Sequence, residues 1–511
     1  MLAGAFLLRA LTDSGQLPAT AGVWAGLTYA AVWLALAART RGRSSLVHGL
    51  ASLMIALPLV VEAASRFRVF PPGLAATVLA SFALAVLAVS ASRRLSALAL
   101  AAVLGAMATA LAVAIAVDAF LPSTLAILAV AAAAFWIGDA RGWAALAWPS
   151  AAGADLAAAV IAVRASAAPP RDAPLAAEAI QAALIVLYLG STMVRVLMQD
   201  KAIRAFDVAQ TVLVLLVGLG GAVAIAQTQQ MGVAGIGIPC LLAGAVMYGQ
   251  AFTTAAERHG LGREFYYFGM TALALVLVGI ALVVPSPAKA VVIAAAALGA
   301  SVIAWRLGHP MLALQGAIAA VTASAVSGLV GFTARAWLAE IAEWPAADLA
   351  VWFVLAAVAA ALLLPRAEQA RGASGPSGAA PALIVSIARA ALIIAFASGV
   401  ASLLIAYGGR LITGTPADMG RLATLRSVIL AGAAAVLALA SRLPRFSEAA
   451  WIAYGALVGG AVKILAEDFP QSRPSTLFLA LAAYGAALIY VPKILKRTEI
   501  SVPPPQRTSQ A

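Results

Sequence analysis

Residues 453–497 read AYGALVGGAVKILAEDFPQSRPSTLFLALAAYGAALIYVPKILKR, and how they are read decides the fold. Two apolar runs flank the charged stretch Lys463 to Pro474. Each run, followed to its natural ends, approaches the roughly 20 residues that an α-helix needs to cross the hydrocarbon core of a bilayer. Asp468 ends the first helix and Pro470 prevents its continuation, because proline has no amide proton to give. Pro474 opens the next helix, where no N–H is needed. The stretch is therefore a helical hairpin with its turn at a membrane surface, closed by Lys496 and Arg497.

The same pattern continues outward over the chain. Of 511 residues 64% are hydrophobic and 10% charged, with a mean hydropathy of +1.00. Water-soluble domains run at about 45–50% apolar and about 25% charged, so that class is excluded. A transmembrane β-barrel would alternate polar and apolar residues over segments of about 10 residues, whereas the runs here are continuous and rich in Ala and Leu. The fold class is all-α, a polytopic integral membrane helical bundle. Spans are expected at 20–38, 46–64, 73–91, 95–117, 123–138, 143–163, 178–194, 207–226, 232–255, 265–284, 288–305, 310–330, 346–364, 382–408, 427–441, 447–466 and 474–495, about 17 in all. One transmembrane domain, 1–495, precedes a disordered, basic and proline-rich tail, 496–511.

Arg and Lys orient the bundle, because cytoplasmic loops carry the excess. Arg39, Arg41 and Arg43, then Arg93 and Arg94, then Arg195, Lys201 and Arg204, then Arg258 and Arg263, then Arg366 and Arg371, then Arg442 and Arg445 fall on the side of the tail. That side is expected to be the cytoplasm, with about 20 basic residues against about 12 opposite. Asp13, Asp118, Glu340, Glu343, Asp418, Glu467 and Asp468 collect on the other side, diluted by Arg66, Arg68, Arg421 and Arg426. The apolar run at the N-terminus spans about 11 residues, too short to cross. It reads as a re-entrant or surface segment, or as the tail of a helix lost to a late start codon. The longest loops fall near 165–177, 365–381 and 409–426, the middle one a Gly/Pro/Ser linker. Arg94, Arg306 and Arg445 each precede a glycine (Gly105, Gly316, Gly455) in similar small-residue helices, an echo that would suit repeated two-helix units.

Few residues offer chemistry. The net charge of +13 is scattered over many loops without an aromatic-interleaved patch, so nucleic acid is not an expected partner; the lipid bilayer is. Cys240 is the single cysteine and the three histidines, His48, His259 and His309, stand far apart, which gives no ligand spacing for a metal. No cofactor motif is present. Glycine-dense GLGGAVAIA, 218–226, reads as a close helix contact. The acid pair in EIAEW, Glu340 and Glu343, and the AEDF stretch read as solvated helix ends before they read as catalytic pairs. Lys463 and Glu467, four residues apart, share a helix face and can pair. Arg389, seven residues into its span, either snorkels to the headgroups or makes an internal ion pair. Asp155 falls near the middle of 143–163, after Pro149 and Gly153. There it is a cation- or proton-handling site on an interrupted helix, a buried hydrogen-bonding group, or the N-terminal cap of a short interfacial helix.

The C-terminal run quoted above resembles the end of a family of large, many-helix bacterial membrane proteins of unknown function. Lys463, Asp468, Arg473, Lys496 and Arg497 carry that likeness, and GAFLLRALTDSGQLP at the start is similar to a second segment of it. The resemblance implies a membrane location and brings no activity. Together with the Arg- and Ala-rich composition it points to a bacterial inner membrane. The expected function is transport-like handling of a small solute or lipid, or scaffolding of the envelope. The alternative is an enzyme acting on a lipid-linked substrate.

Overall fold

The computed structural model describes residues 16–255, 262–286, 288–339, 344–364, 379–413, 418–471 and 473–499. The N-terminal segment, His259, the acids of EIAEW, most of the Gly/Pro/Ser linker and residues 500–511 of the tail lie outside the described residues. Every described element is helical. Among the described residues fifteen helices are long and apolar enough to cross a membrane, and a bent pair is either a sixteenth, broken span or a re-entrant loop.

In chain order the helices are α1 (Ala19–Arg39), α2 (Gly42–Ser65), α3 (Pro72–Arg93), α4 (Ser96–Val117), α5 (Phe120–Arg141), α6 (Ala147–Ala165), α7 (Pro174–Leu197), α8 (Ala205–Thr228), α9 (Ala234–Thr253), α10 (Arg263–Val283) and α11 (Ala288–Leu307). Then come the bent pair α12 (Pro310–Val326) and α13 (Leu329–Leu338), the shorter apolar helix α14 (Leu349–Leu363), α15 (Leu383–Ile412), α16 (Met419–Ala440), α17 (Ala449–Asp468) and α18 (Pro474–Glu499). Each expected span has a helical counterpart, but the one read as 346–364 is only the 15-residue helix Leu349–Leu363, shorter than a span. Pro72, Pro174, Pro310 and Pro474 stand in the first turn of their helices, where the missing amide proton costs nothing.

Three expectations are corrected. The span read as 427–441 begins at Met419, so Arg421 and Arg426 are helical rather than loop residues. Asp418 caps this helix by accepting from the Arg421 backbone N–H at 3.0 Å, and that amide holds its carboxyl below the ordinary carboxylate range. The span read as 310–330 is bent by 64° between α12 and α13. Gly328 makes the break with φ of 82°, a left-handed conformation that only glycine takes without strain. Residues 496–499, read as tail, continue α18.

The described residues fall into two compact units, one within 1–236 and 249–268 and the other within 237–248 and 269–511. In the first, α1 packs on α2, α3 on α4 and α5, and α5 on α6. In the second, α11 packs on α12 and α14, α12 on α15, and α16 on both α17 and α18. Alanine dominates the buried side chains. Helices approach closely where side chains are small, the usual packing of helices in lipid. A Cβ at Gly221 would lie 3.0 Å from the Ala162 side chain, and one at Gly218 2.8 Å from Ile185, so the glycine-dense stretch does hold helices together. The echoing glycines sit in unlike surroundings: Gly105 faces Leu57, Gly316 faces Ser301, and Gly455 faces open space.

Candidate functional site

The charged hairpin of the opening stretch builds a dense polar cluster in the second unit. Around a regular α-helix Asp468 would stand about 140° away from Lys463. Ile464–Asp468 is a π-turn, whose wider hydrogen bonding brings both acids to the lysine. The chain stays helical beyond it over Phe469–Gln471, so neither Asp468 nor Pro470 ends the helix where the sequence placed its end. Lys463 Nζ lies 3.3 Å from Glu467 Oε2 and 3.1 Å from Asp468 Oδ1. It also donates to the Ala423 carbonyl and to Ser427 Oγ, each at 2.8 Å, and Ser427 Oγ donates to Asp468.

Arg426 completes the cluster from α16. Its Nη1 donates to Glu467 Oε1 at 2.7 Å, its Nε to the Ala336 carbonyl at 2.9 Å and its Nη2 to the Ala339 carbonyl at 2.7 Å. The last two carbonyls are at the C-terminal end of α13, where backbone acceptors lack helical partners and a cation is favoured. Arg426 is 2% exposed and Asp468 0%. The hairpin acids are therefore paired, Asp468 buried and Glu467 half-buried, rather than solvated. Two cations and two anions balance, which is what permits their burial. Arg426 is the member that sequence reading put in a loop; its one signal is the spacing Asp418, Arg421, Arg426, in which a cap residue opens a helix.

Beside the cluster runs a groove of about 790 Å³. Trp337 from α13, Ile394 from α15, Leu430 from α16, and Gly455 and Gly459 from α17 line it, and it ends on Lys463 and Glu467. A second cavity, of about 590 Å³, shares Trp337 and Ile394.

Arg389 lies elsewhere in this unit, 8% exposed. Its guanidinium stands 5.6 Å from the Phe446 ring centroid and 3.5 Å from the Leu362 carbonyl. Both partners lie at span ends, Leu362 in the last turn of α14 and Phe446 before α17.

The first unit holds a second polar cluster. Arg195, in the last turn of α7, hydrogen-bonds Asp207 of α8 and lies 3.8 Å from Asp139 of α5. Lys201 and Arg204 reach Asp139 at 2.6 and 3.2 Å. Sequence reading treated these cations only as markers of orientation; Asp139, the acid they share, falls at the end of a different span and has no local signal. Along α8, Asp207, Gln210 and Thr211 are buried on one face. Thr211 is 2.6 Å from Tyr267 Oη, and Gln210 Nε2 donates to both carboxylate oxygens of Asp155, at 3.0 and 2.9 Å.

Asp155 is thus a buried hydrogen-bonding group at mid-span. The interrupted helix and the short interfacial helix are both overturned: α6 runs unbroken from Ala147. Pro149 falls in its first turn, where it removes no needed donor. Gly153 serves packing, since a Cβ there would lie 2.4 Å from Met107 Sδ.

Among the described residues no group of three His, Cys, Asp or Glu side chains has the geometry to hold a metal ion. Fold and clusters together define a multi-pass α-helical membrane protein. No protein-family model matches the chain, no curated protein is significantly similar to it, and no solved structure matches it.

Proposed function

We propose that the protein draws an amphiphile from the bilayer into the groove of the second unit, with its apolar chain along α17 and its polar head at Lys463 and Glu467. The observation that carries this reading is the groove itself, apolar along its length and charged at one end. Ligand sites pair an apolar lining with a few convergent polar groups, and lipid is the apolar solute that surrounds every span. Glu467 and Asp468 are already committed to Arg426 and Lys463, an arrangement that favours holding a head group over general acid–base chemistry. The role is transport-like sheltering of a lipid or lipid-like solute, in the inner membrane of a bacterium with the C-terminus in the cytoplasm. The arginine asymmetry of the loops and the resemblance of both chain ends support that placement.

A phospholipid carrying a photoactivatable group in its acyl chain tests the reading. Irradiated membranes are expected to yield adducts on α13, α15 and α17. Gly459→Leu should reduce them several-fold, because a Cβ at Gly459 enters open space and a leucine there fills the groove. Equal labelling of both proteins, or adducts confined to other helices, would refute the groove as a lipid site. Recovery of the bound lipid chemically altered would favour an enzyme instead.

A further inference from the structure

We propose that Asp155, in the first unit, binds and releases a proton in the course of the protein's work. The idea rests on geometry independent of the groove. Asp155 sits in the middle of the 22-residue span Ala144–Ala165 and is 7% exposed. A carboxyl at that depth has a cationic partner, stays protonated, or gains and loses a proton, and such residues mark functional paths in membrane proteins. Among the described residues the one side chain that hydrogen-bonds it is Gln210, a neutral amide.

The titratable groups on the elements packed against α6 are engaged elsewhere or lie apart. Asp139 and Asp207 share Arg195, Lys201 and Arg204. Arg164 pairs with Asp118 and Asp172. Glu178 stands in the first half of α7, partly buried. Among the described residues Tyr188 is the titratable neighbour whose side chain has no hydrogen-bond partner. It is 2% exposed, and it lies within electrostatic reach of Asp155. It belongs to the π-turn Val186–Gly190 of α7, the kind of helix defect that recurs at functional sites.

A buried hydroxyl left without a partner is costly, and the two protonation states of Asp155 explain why one is kept there. In the carboxylate form both oxygens accept from Gln210. When a proton binds to one oxygen, that oxygen becomes a donor and needs an acceptor. Gln210 turns its amide to present Oε1, or the Tyr188 hydroxyl, which makes no hydrogen bond to Asp155 in this structure, moves within reach to accept it. On release the proton leaves the carboxyl oxygen and the Gln210 bonds re-form. The buried polar face of α8, Asp207 then Gln210 and Thr211, leads from Lys201 and Arg204, whose side chains are 41% and 42% exposed, to the level of Asp155. Protons therefore have a polar approach from that end.

A hydrophobic carbodiimide adds only to protonated carboxyls inside membranes, so peptide mapping by mass spectrometry after treatment over about pH 5 to 9 reads the site directly. The expected result is an adduct on Asp155 that grows as the pH falls. Asp155→Asn, whose amide oxygen still accepts from Gln210, should lose the adduct while keeping its abundance. Tyr188→Phe should move the midpoint of labelling by roughly half a unit or more, as loss of one hydrogen bond to one protonation state requires. No adduct at any pH, or an adduct indifferent to pH, overturns the proposal in the wild-type protein without recourse to variants. An unmoved midpoint in Tyr188→Phe overturns the part assigned to Tyr188. Competition of labelling by Na⁺ at fixed pH would replace the proton with a metal cation and overturn the proposal as stated.

Discussion

Arg426 shows how one side chain can bind three parts of the second unit. Its guanidinium serves Glu467 and the two carbonyls that end α13, so removing it leaves three acceptors wanting and one negative charge in excess. Arg426→Met is expected to destabilise the protein by about 3–5 kcal/mol, the usual result of breaking one side of a buried ion pair. Arg426→Lys should fall between, since a lysine lacks the rigid planar fork that meets three acceptors at once. The double variant Arg426→Met with Glu467→Met should recover part of the loss, because no unpaired charge then remains buried. Thermal unfolding of detergent-purified protein, followed by size-exclusion fluorescence, checks all three. A double variant no more stable than Arg426→Met would mean that the carbonyls, not the carboxylate, dominate.

Helix α17 presents two faces with opposite demands. A Cβ at Gly460 would lie 2.9 Å from the Tyr484 ring of α18, whereas one at Gly459 meets nothing within 4 Å. Gly460→Leu is therefore expected to cost about 1–3 kcal/mol by overpacking, while Gly459→Leu leaves the unfolding temperature nearly unchanged. Comparison of the two neighbours in one assay separates the packed face from the groove face; equal losses would show that the groove closes in solution. Both glycines look alike in an Ala-rich run. Which one touches a neighbour depends on where α16 and α18 lie, and those helices begin 41 residues upstream and 14 residues downstream of Gly460.

For the whole molecule the testable matter is its orientation. In a protein with Cys240 replaced by serine, single cysteines at Ser44 and Ser92 should react with an impermeant maleimide only from the cytoplasm, and those at Ala173 and Ser475 only from the opposite side. All four positions are exposed. Labelling of Ser92→Cys and Ser475→Cys from one side would end the arginine-based orientation.

Much was legible from residues alone, because a bilayer imposes its rules locally: about 20 apolar residues make a span, and every backbone amide must bond within its own helix. Hydropathy therefore found a helix at each expected place among the described residues, although Leu349–Leu363 falls short of a span, and the i, i+4 spacing foretold the Lys463–Glu467 pair. It also misjudged charges near span ends. Arg195 and Arg426 read as loop residues, yet both are buried, since a charge is admitted to the interior when another helix brings the opposite one. Asp139 for Arg195, Glu467 for Arg426 and Gln210 for Asp155 are 56, 41 and 55 residues away along the chain, as the paired numbers show. Periodicity within one helix cannot name a partner on another. The π-turns that re-aim Asp468 and Tyr188 are equally silent in the sequence, because they are set by packing between helices; only the tertiary structure decided them, and with them every site described.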